Sequence, residues 1–526
     1  MRSRWLTGFR YVIALAAPIL LGFVATVGPD SAAGADAPGK AVAPAVSAFR
    51  ERAAQDAREA FRRHAAVARA EYPVGVFDSG TGGLAVLEAI LATDTVDNRT
   101  GRASQTGDGS PDFELESFVF LADQANMPYG DYAGAGKVEL LEDLITGDAA
   151  FLLGTRYFSA ADAPQPHDDK VPVKAIVIAC NTATAYGKDD VERLISAAGL
   201  DIQVIGVIDA GAKGAVDVFA DGTAGTIGVF ATCGTVASEA YPRAIRREID
   251  GRGLQQRIEV VQQGAHGLAS AIDGDRDYLV AQPAGGLPRG DYQGPGIGHP
   301  IAPVDCSLLR RYGFDFSQSR MLFTGTLERP TLLQLNSVDN YIAYHVVALL
   351  ETLRSKPDAP PLRAIVLGCT HFPYYTEQFR NQLERLREYR EDGQYIYRNY
   401  LAPRVEVIDP AVRAAEELMA ALVARKEADR SVEDPFKATR GEFYLTQASA
   451  DCPPAAINEQ GGFAHDYKYG RSRDHVGEDF LVVPLQPKHL DAATAGRLRQ
   501  QLPRCWRLMQ DFEKNSQKTR STTTPR

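Results

Sequence analysis

Four apolar segments of the chain are short, rich in aliphatic residues, and followed within two residues by Ser, Asn or Thr. This pattern predicts buried strands that end at a turn. The four segments are Val74–Phe77, Ala175–Ala179, Ile227–Phe230 and Ala364–Gly368. Segments of helical periodicity follow, as after Leu84, so strands and helices are expected to alternate along the chain.

The four segments form two pairs that resemble each other in sequence. The run VGVFDSGTGG from Val74 matches IGVFATCGTV from Ile227 at a constant offset of 153 positions, and the strands before Cys180 and Cys369 match at an offset of 189. The duplication predicts an α/β fold with two pseudo-symmetric, doubly wound parallel-sheet domains and the active site between them. In such sheets ligands bind at the carboxyl ends of the strands. Insertions and a C-terminal extension account for the remaining length.

The domain boundaries follow from where this pattern starts, stops and is interrupted. We expect a signal peptide or anchor at residues 1–37 and a helical lead-in at 38–72. A first α/β domain should follow in two separated segments, 73–222 and 405–486, with a second α/β domain at 223–404 that has an insertion at about 274–340. Residues 487–526 are expected to form a tail with a disordered end from about Asn515. A further short insertion is expected at about 388–404.

The N-terminal segment has the layout of an export signal. Arginines at positions 2, 4 and 10 precede an apolar run from Tyr11 to about Val27, and A-x-A spacings follow at 33–35 and 35–37. A basic region, an apolar stretch and A-x-A spacing are typical of a secretory signal peptide. The sequence therefore predicts an exported, periplasmic protein, with an uncleaved membrane anchor as the alternative.

Composition narrows the function classes. The 526 residues carry a net charge of −10 and no strong basic stretch. Nucleic-acid binding is not favoured, because phosphate contacts need clustered Lys and Arg. Six cysteines without a CxxC pair and nine scattered histidines do not favour a structural zinc site. HExxH, Walker-type and GxGxxG motifs are missing from the sequence, so neither a metal nor a cofactor is predicted.

Two cysteines at matching strand ends indicate the chemistry, whereas a single buried cysteine would indicate only a core position. If the domains face each other, Cys180 and Cys369 approach one ligand from opposite sides, too far apart for a disulfide, whose Cα atoms lie within ~7 Å. A thiolate on one side and a thiol on the other suit the removal of a proton from a carbon and its replacement on the opposite face. A free thiol has a pKa of about 8.5, so neighbouring groups must tune each cysteine.

The neighbours of the cysteines differ between the two halves. Asp78 ends the first strand, whereas Ala231 stands at the matching position of the second half, and His371 lies two residues after Cys369. A carboxylate is therefore expected to assist one cysteine and an imidazole the other. Because the α-proton of an amino acid is weakly acidic, the site must also stabilise a carbanion-like state. Suitable donors are Ser79, Asn181, Thr182 and Thr370.

Seven motifs in a fixed order cover residues of about 73–412. They are GVFDSGTGGLAVL, MPYGDY, IVIACNTATA, VIGVIDAGAKGAV, IGVFATCGT, IVLGCTHFPYY and VEVIDP. By these motifs the chain resembles the glutamate racemases of the aspartate/glutamate racemase superfamily. The resemblance implies cofactor-independent conversion of L-glutamate to D-glutamate, linked to peptidoglycan and D-amino-acid metabolism. It implies Cys180 and Cys369 as the acid/base residues, assisted by Asp78 and His371.

The resemblance also implies a substrate-binding set at the strand ends and in the MPYGDY loop. The set comprises Asp78, Ser79, Tyr129, Gly130, Asn181, Thr182, Thr370 and His371. Where the family has a glutamate, the segment AHGLASAIDGD offers Asp273, which joins the catalytic set. The expected partner is the small amino acid glutamate; a homodimer is a further expectation, and a membrane only if the N-terminal segment is retained.

Two other functions fit the same pattern. One is an aspartate or broad-range amino-acid racemase of the same superfamily. The other is an exported, non-catalytic amino-acid-binding protein that uses the cleft between two α/β lobes; the presence of both cysteines speaks against it, since a binding protein does not need the pair. Cys306, Cys452 and Cys505 lie in or near the insertions and the tail, where an oxidising compartment would allow two of them to pair.

Overall fold

The computed structural model describes residues 44–522 with the exception of some short stretches. The excepted positions are 99, 101, 103–106, 281–286, 357, 429–438, 459–461, 474–478 and 491. The predicted signal peptide or anchor, residues 1–37, lies outside the described residues. Of the described helices, none combines the length and the apolar character that crossing a membrane requires.

The described residues form fourteen strands. In chain order they are β1 (Val74–Asp78), β2 (Ser117–Ala122), β3 (Ala175–Ile178), β4 (Gln203–Gly206), β5 (Gly225–Ala231), β6 (Ile258–Gly264), β7 (Met321–Gly325), β8 (Pro330–Leu335), β9 (Leu362–Gly368), β10 (Arg390–Glu391), β11 (Gln394–Tyr395), β12 (Leu401–Ile408), β13 (Arg440–Ala448) and β14 (Phe480–Pro484). The central strands β1, β3 and β5 are buried along their whole length, which explains their continuous apolar sequences.

Fifteen α-helices connect or flank these strands within the described residues. They are α1 (Pro44–Arg63), α2 (Leu84–Ala92), α3 (Val138–Leu153), α4 (Asn181–Ala197), α5 (Val207–Asp217), α6 (Cys233–Ala237), α7 (Ala240–Gly251), α8 (Leu268–Asp273), α9 (Leu309–Tyr312), α10 (Val338–Arg354), α11 (Thr376–Glu388), α12 (Pro410–Arg425), α13 (His465–Gly470), α14 (Ala492–Gln501) and α15 (Pro503–Thr522).

The first sheet has the strand order β14-β13-β2-β1-β3-β4. Its neighbours run parallel, except that β14 is antiparallel to β13. Successive residues of a strand point to opposite faces. Val76 and Phe120 pack in one core with α2, α12 and α15, whereas Phe77 and Leu121 pack in another with α1, α3 and α4. The sheet is therefore covered by helices on both faces, as the predicted doubly wound α/β fold requires.

The second sheet has the order β12-β9-β5-β6, and all its neighbours are parallel. In the first sheet Val74 lies opposite Ala175, and in the second Ile227 lies opposite Ala364. These two pairs are related by the offsets of 153 and 189 that relate the two halves in sequence. The duplication therefore extends to the register of the strands, and the predicted fold class is confirmed.

Strand β12 belongs to the second sheet, which corrects the predicted return to the first domain at residue 405. It pairs with β9, with Val407 opposite Ile365, and takes the place next to β9 that β4 has next to β3. The residues Val-Ile-Asp recur at 207–209 and 407–409, and the helices α5 and α12 that accompany them pack on each other. The chain returns to the first sheet only at β13.

The lead-in and the insertions have structure of their own. Helix α1 packs Ala53 and Ala57 into the core formed with α3 and α4, and Arg50 bonds Asp143 at 3.1 Å and Asp190 at 2.6 Å. Between α8 and α10, strands β7 and β8 form an antiparallel hairpin, and β10 and β11 form a smaller one after α11. Both hairpins fall within the predicted insertions.

The C-terminal residues to Thr522 are helical, which corrects the prediction of a disordered end from about Asn515. Leu502, Trp506 and Met509 recur at helical spacing among charged residues and are buried in the core of the first sheet with residues of α2. Such a single apolar stripe is enough to hold a helix on a domain.

Candidate active site

Cys180 lies where β3 passes into α4. The chain turns so that this residue becomes the N-cap of the helix, and its Sγ accepts a hydrogen bond from the Ala183 amide at 3.4 Å. The thiol also reaches the Ser79 hydroxyl oxygen at 3.8 Å. The positive end of the helix dipole lies at this sulfur, where it favours a developing negative charge.

Asp78 ends β1, the strand beside β3, and is 1% exposed. Its Oδ2 accepts a hydrogen bond from the Gly83 amide at 2.6 Å, while Oδ1 accepts none of good geometry from any described residue. Burial raises the pKa of Asp78, against smaller lowering contributions led by His371. Burial and the Asp78 charge together raise the pKa of the Cys180 thiol. Cys180 therefore rests as a protonated thiol.

Cys369 follows β9 and has a different set of partners. Its Sγ lies 3.4 Å from Nδ1 of His371, whose Nε2 lies 2.9 Å from Oδ2 of Asp273. Burial lowers the pKa of His371, but the Asp273 carboxylate and Cys369 outweigh it, so the pKa of His371 is well above its usual value. Burial raises the pKa of Asp273, but His371 and Arg497 outweigh it, and the net pKa is lowered. His371 therefore rests as a cation, with its Nδ1 3.4 Å from the Cys369 sulfur.

The glycine-rich turn after β1 brings the two strand ends together. A Cβ on Gly82 would lie 2.7 Å from Cε1 of His371 and 2.7 Å from Oγ1 of Thr370, so only a glycine fits between these side chains. Gly83 has a similar role against Asp78, where a Cβ would lie 2.4 Å from the Asp78 Cβ. The turn from the first half thus contacts the residues that follow Cys369 in the second half.

The predicted donors Asn181 and Thr182 are already bonded across the two halves. Oδ1 of Asn181 accepts a hydrogen bond from the Tyr241 hydroxyl at 2.6 Å. Oγ1 of Thr182 lies 3.2 Å from Oγ1 of Thr232 and 3.0 Å from Oγ1 of Thr235. These residues therefore join the first half to the second in the present closed arrangement.

The Tyr129 side chain faces away from the predicted substrate site. It is 1% exposed, and its hydroxyl lies 2.5 Å from Oδ2 of Asp123 and 2.8 Å from Oδ2 of Asp148. Burial raises the pKa of both carboxyl groups. Gly130 is placed at the boundary between the halves, where a Cβ would lie 3.2 Å from Thr232. At this position the backbone of Gly130, and not the Tyr129 ring, faces the second half.

Both cysteines lie in a closed site. Cys180 and Cys369 are each 7% exposed. A cavity of about 10 Å³, roughly the size that holds one water, is lined in part by Asn181, Cys369 and Thr370. This cavity is too small for an amino acid. All six cysteines are free thiols, including Cys306, Cys452 and Cys505.

Curated proteins similar to this chain are glutamate racemases, although no family model matches it. The glutamate racemase of Limosilactobacillus fermentum is 33% identical over 213 residues, which are 40% of this chain and 62% of that protein. That of Corynebacterium kroppenstedtii is 35% identical over 199 residues, 36% of this chain and 52% of that protein. The chain is thus similar in sequence to glutamate racemases over part of its length. It spans about three fifths of the length of the first curated relatives it matches.

Solved glutamate racemases resemble the structure only loosely as whole chains. The enzyme of Francisella tularensis in complex with D-glutamate gives a TM-score of 0.40 at 21% identity, covering 73% of this chain and 90% of that one. A glutamate racemase isoform of Bacillus anthracis gives 0.39 at 20% identity, covering 71% and 88%. Superposition of whole chains is therefore too loose to assign a function, which has to rest on the sequence relationship and the local geometry.

Three residues that bond to the candidate site were not predicted from the sequence: Thr232, Tyr241 and Arg497. Thr232 and Tyr241 lie in TIGVFATCGTVASEAY, the segment that matches the Asp78 region, so the duplication could have indicated them. Arg497 has no such signal, because the C-terminal extension matches nothing in the first half. It bonds Asp273 with Nη2 at 3.1 Å from Oδ1.

Proposed function

We propose that this protein is a cofactor-independent amino-acid racemase that interconverts L-glutamate and D-glutamate with Cys180 and Cys369 as its two acid/base groups. One observation supports this above all: duplicated strands place the two cysteines at equivalent ends, one beside a buried carboxylate and the other beside a buried imidazolium. The sequence relationship to glutamate racemases supports the choice of substrate.

The resting charges suit one direction of proton transfer. The Cys369 thiolate, supported by His371, takes the α-proton, and the electron pair stays on the α-carbon. The Cys180 thiol then gives its proton to the opposite face, which yields the enantiomer, a Cys369 thiol and a Cys180 thiolate. The other enantiomer reacts from that second state and restores the first. One proton leaves and one arrives, so no electron acceptor is needed.

The closed site stabilises the carbanion-like state in two ways. The end of α4 directs its positive dipole at the Cys180 side, and the hydroxyl and amide groups of Ser79, Asn181, Thr182 and Thr370 lie at the strand ends as donors. Exclusion of water strengthens each of these interactions. Substrate binding exchanges the present bonds of Asn181 and Thr182 for bonds to the ligand.

The proposed product links the protein to D-amino-acid metabolism and to the supply of D-glutamate for peptidoglycan. Export to the periplasm stays a prediction from residues 1–37, and there the enzyme would recycle or scavenge amino acids rather than make a precursor of the cell wall. The homodimer likewise stays a prediction.

A panel of L- and D-amino acids in deuterium oxide tests the proposal. Purified protein without added cofactor should racemise glutamate and place deuterium on its α-carbon, as followed by polarimetry and proton NMR. Racemisation of aspartate but not of glutamate would change the proposed substrate and leave the proposed mechanism unchanged. Binding of an amino acid without any α-carbon exchange would refute catalysis and favour the non-catalytic binding protein.

A further inference from the structure

The C-terminal extension reaches the Cys369 side of the candidate site. Its last helix, α15, is held on the first sheet by buried residues such as Trp506 and Met509. From the preceding helix α14, Arg497 extends to the end of α8 in the second half. Nη1 donates to the Ile272 carbonyl at 2.5 Å and Nη2 donates to Oδ1 of Asp273 at 3.1 Å. A segment outside the duplicated sheets thus contacts the carboxylate that partners His371.

Arg497 completes the hydrogen bonding of Asp273. One carboxylate oxygen, Oδ1, accepts from Arg497, and the other, Oδ2, lies 2.9 Å from Nε2 of His371. Nδ1 of His371 lies 3.4 Å from the Cys369 sulfur. Because both oxygens are engaged, the plane of the carboxylate is fixed, and the direction of the imidazole ring follows from it.

Arg497 is itself restrained and permanently charged. Its side chain is 16% exposed, and its guanidinium carbon lies 5.8 Å from the centre of the Tyr374 ring. His371 loses its charge when it gives up a proton, whereas a guanidinium keeps its charge at all relevant pH values. Arg497 therefore balances the charge of Asp273 in every protonation state of the imidazole.

We propose that Arg497 is a positioning residue for Cys369: by holding Asp273 against His371, the C-terminal extension orients the His371 ring beside the Cys369 sulfur. The assignment of this orienting effect to one direction of racemisation rests on the proposed function. The coupling of Arg497 to His371 rests only on the distances above. Asp78, on the other side, has a backbone amide as its partner and lacks an arginine contact among the described residues.

The proposed role of Arg497 predicts the direction in which the pH–rate profile shifts when Arg497 is replaced. The titratable or charged groups that act on or respond to Asp273 are His371, Arg497, Asp275 and Tyr374. Without Arg497, buried Asp273 keeps a single cationic neighbour, so its carboxyl group gains a proton at a higher pH. Since only the ionised carboxylate holds the imidazolium, the acidic limb of the pH–rate profile moves to higher pH.

Arg497→Gln in the full-length protein tests the proposal, with Arg499→Gln as the matched control. Arg499 lies two residues along the same helix, is exposed, and has its guanidinium carbon 5.1 Å from the centre of the Trp506 ring. We expect Arg497→Gln to lower kcat about ten-fold for the enantiomer whose α-proton Cys369 removes, with a larger primary deuterium isotope effect in that direction. Arg497→Lys should restore part of the rate, and Arg499→Gln should match the wild type.

The two directions provide an internal check. Because enantiomers are equally stable, kcat/KM falls by the same factor for both, and the asymmetry appears in kcat and in the isotope effects. A structural contact alone would lower both kcat values in proportion to the folded fraction, with the isotope effects and the acidic limb unchanged. That result, or an Arg497→Gln variant equal to Arg499→Gln, overturns the proposal.

A readout without activity separates this inference from the proposed function. In NMR of isotope-labelled histidine, assigned with His371→Gln, the inflection that Asp273 causes in the His371 signals should move to higher pH in Arg497→Gln and stay in place in Arg499→Gln. An unchanged inflection overturns the coupling. A shifted inflection in a protein that racemises no amino acid keeps the coupling and refutes the racemase.

Discussion

The surroundings of Cys180 and Cys369 differ far more than the strands that carry them. Both sulfurs follow a parallel strand in the same register with its neighbour, yet Cys180 lies beside the buried Asp78 and Cys369 beside a cationic His371. Burial and the negative charge of Asp78 raise the pKa of Cys180, whereas the neighbour of Cys369 is a cation. The duplicated strands thus give the two cysteines equivalent positions, and their different neighbours give the difference in charge that the proposed proton transfer needs.

The backbones of the two halves alone do not show this difference in charge. Two thiols with identical surroundings would rest in the same protonation state, and a proton relay needs one donor and one acceptor. The Asp78 and Ala231 positions, equivalent in sequence, carry that distinction. Four experiments test it, in order of decreasing expected effect.

The largest effect is expected from removing either sulfur. Cys180→Ser and Cys369→Ser should each lower racemisation by about 10²–10⁴-fold, since a serine hydroxyl is a poor base at neutral pH. Each variant should keep some α-proton exchange for only one enantiomer, and for opposite enantiomers, which proton NMR in deuterium oxide measures. Equal exchange of both enantiomers in either variant would contradict the assignment of one cysteine to each face.

A second effect is expected from Asp78→Asn, with Asp209→Asn as its control. The Asp78 charge raises the pKa of Cys180, so its removal should lower that pKa and cut the rate by about 10²-fold. Alkylation of the Cys180 peptide against pH, followed by mass spectrometry, reports the shift. Asp209 bonds Arg247 near the surface and should leave both readouts unchanged. An unshifted alkylation curve in Asp78→Asn would show that the Asp78 charge does not raise the pKa of Cys180.

A third effect concerns the contact between the halves. Gly82→Ala puts a methyl group 2.7 Å from Cε1 of His371 and should displace the ring, lowering kcat by about ten-fold. Gly80→Ala, whose methyl group would meet the flexible Met127 side chain at 3.1 Å, is the matched variant with little expected loss. Equal rates in the two variants would show that the His371 ring can move without a loss of activity.

The smallest effect is on stability, and its sign depends on pH. The pKa of His371 is raised, so its stabilisation is complete below the unfolded value of about 6.5 and disappears as pH rises through the folded value. Asp273, with a lowered pKa, contributes above about pH 4. Urea unfolding should therefore show His371→Gln about 1–2 kcal/mol less stable near pH 5 and closer to wild type at high pH.

His345 provides a control of opposite sign for that measurement. Burial lowers the pKa of His345 to about 3, so the folded protein keeps this imidazole neutral and loses stability as pH falls below about 6.5. The cost of His345→Gln should therefore decrease with falling pH, whereas the cost of His371→Gln increases. Parallel trends in the two variants would contradict the charge assigned to His371.

The sequence predicted the duplicated sheets because their central strands β1, β3 and β5 are buried on both faces and have continuous apolar sequences. It placed β12 in the first sheet, because Leu401–Ile408 is partly exposed and includes the charged residues Arg404 and Glu406. The recurrence of Val-Ile-Asp at 407–409 was the signal for its place. Trp506 and its neighbours were missed for a related reason: one apolar stripe on a charged helix leaves little trace in composition.

The candidate site was predictable where it repeats and unpredictable where it does not. Cys180, Cys369 and Asp78 stand at strand ends that the duplication locates. The role of Asp273 depended on a family comparison, and Arg497 on a contact with a residue 224 positions away, for which sequence pattern gives no indication. The orientation of Tyr129 was equally hidden, because a buried pair of carboxyl groups, formed only in the folded core, determines it.

The insertion of the second sheet inside the first has a consequence for synthesis of the chain. Strand β2 pairs with β13, and Asp123 after β2 accepts a hydrogen bond from Thr446 of β13, 323 positions later. At ribosomal rates of about 5–20 residues per second, the edge of β2 waits roughly 15–65 s for its partner strand. During that time the second sheet has all its strands available and the first does not. The nascent chain therefore exposes an unpaired parallel edge, a surface that chaperones or a neighbouring chain can pair with, until β13 emerges.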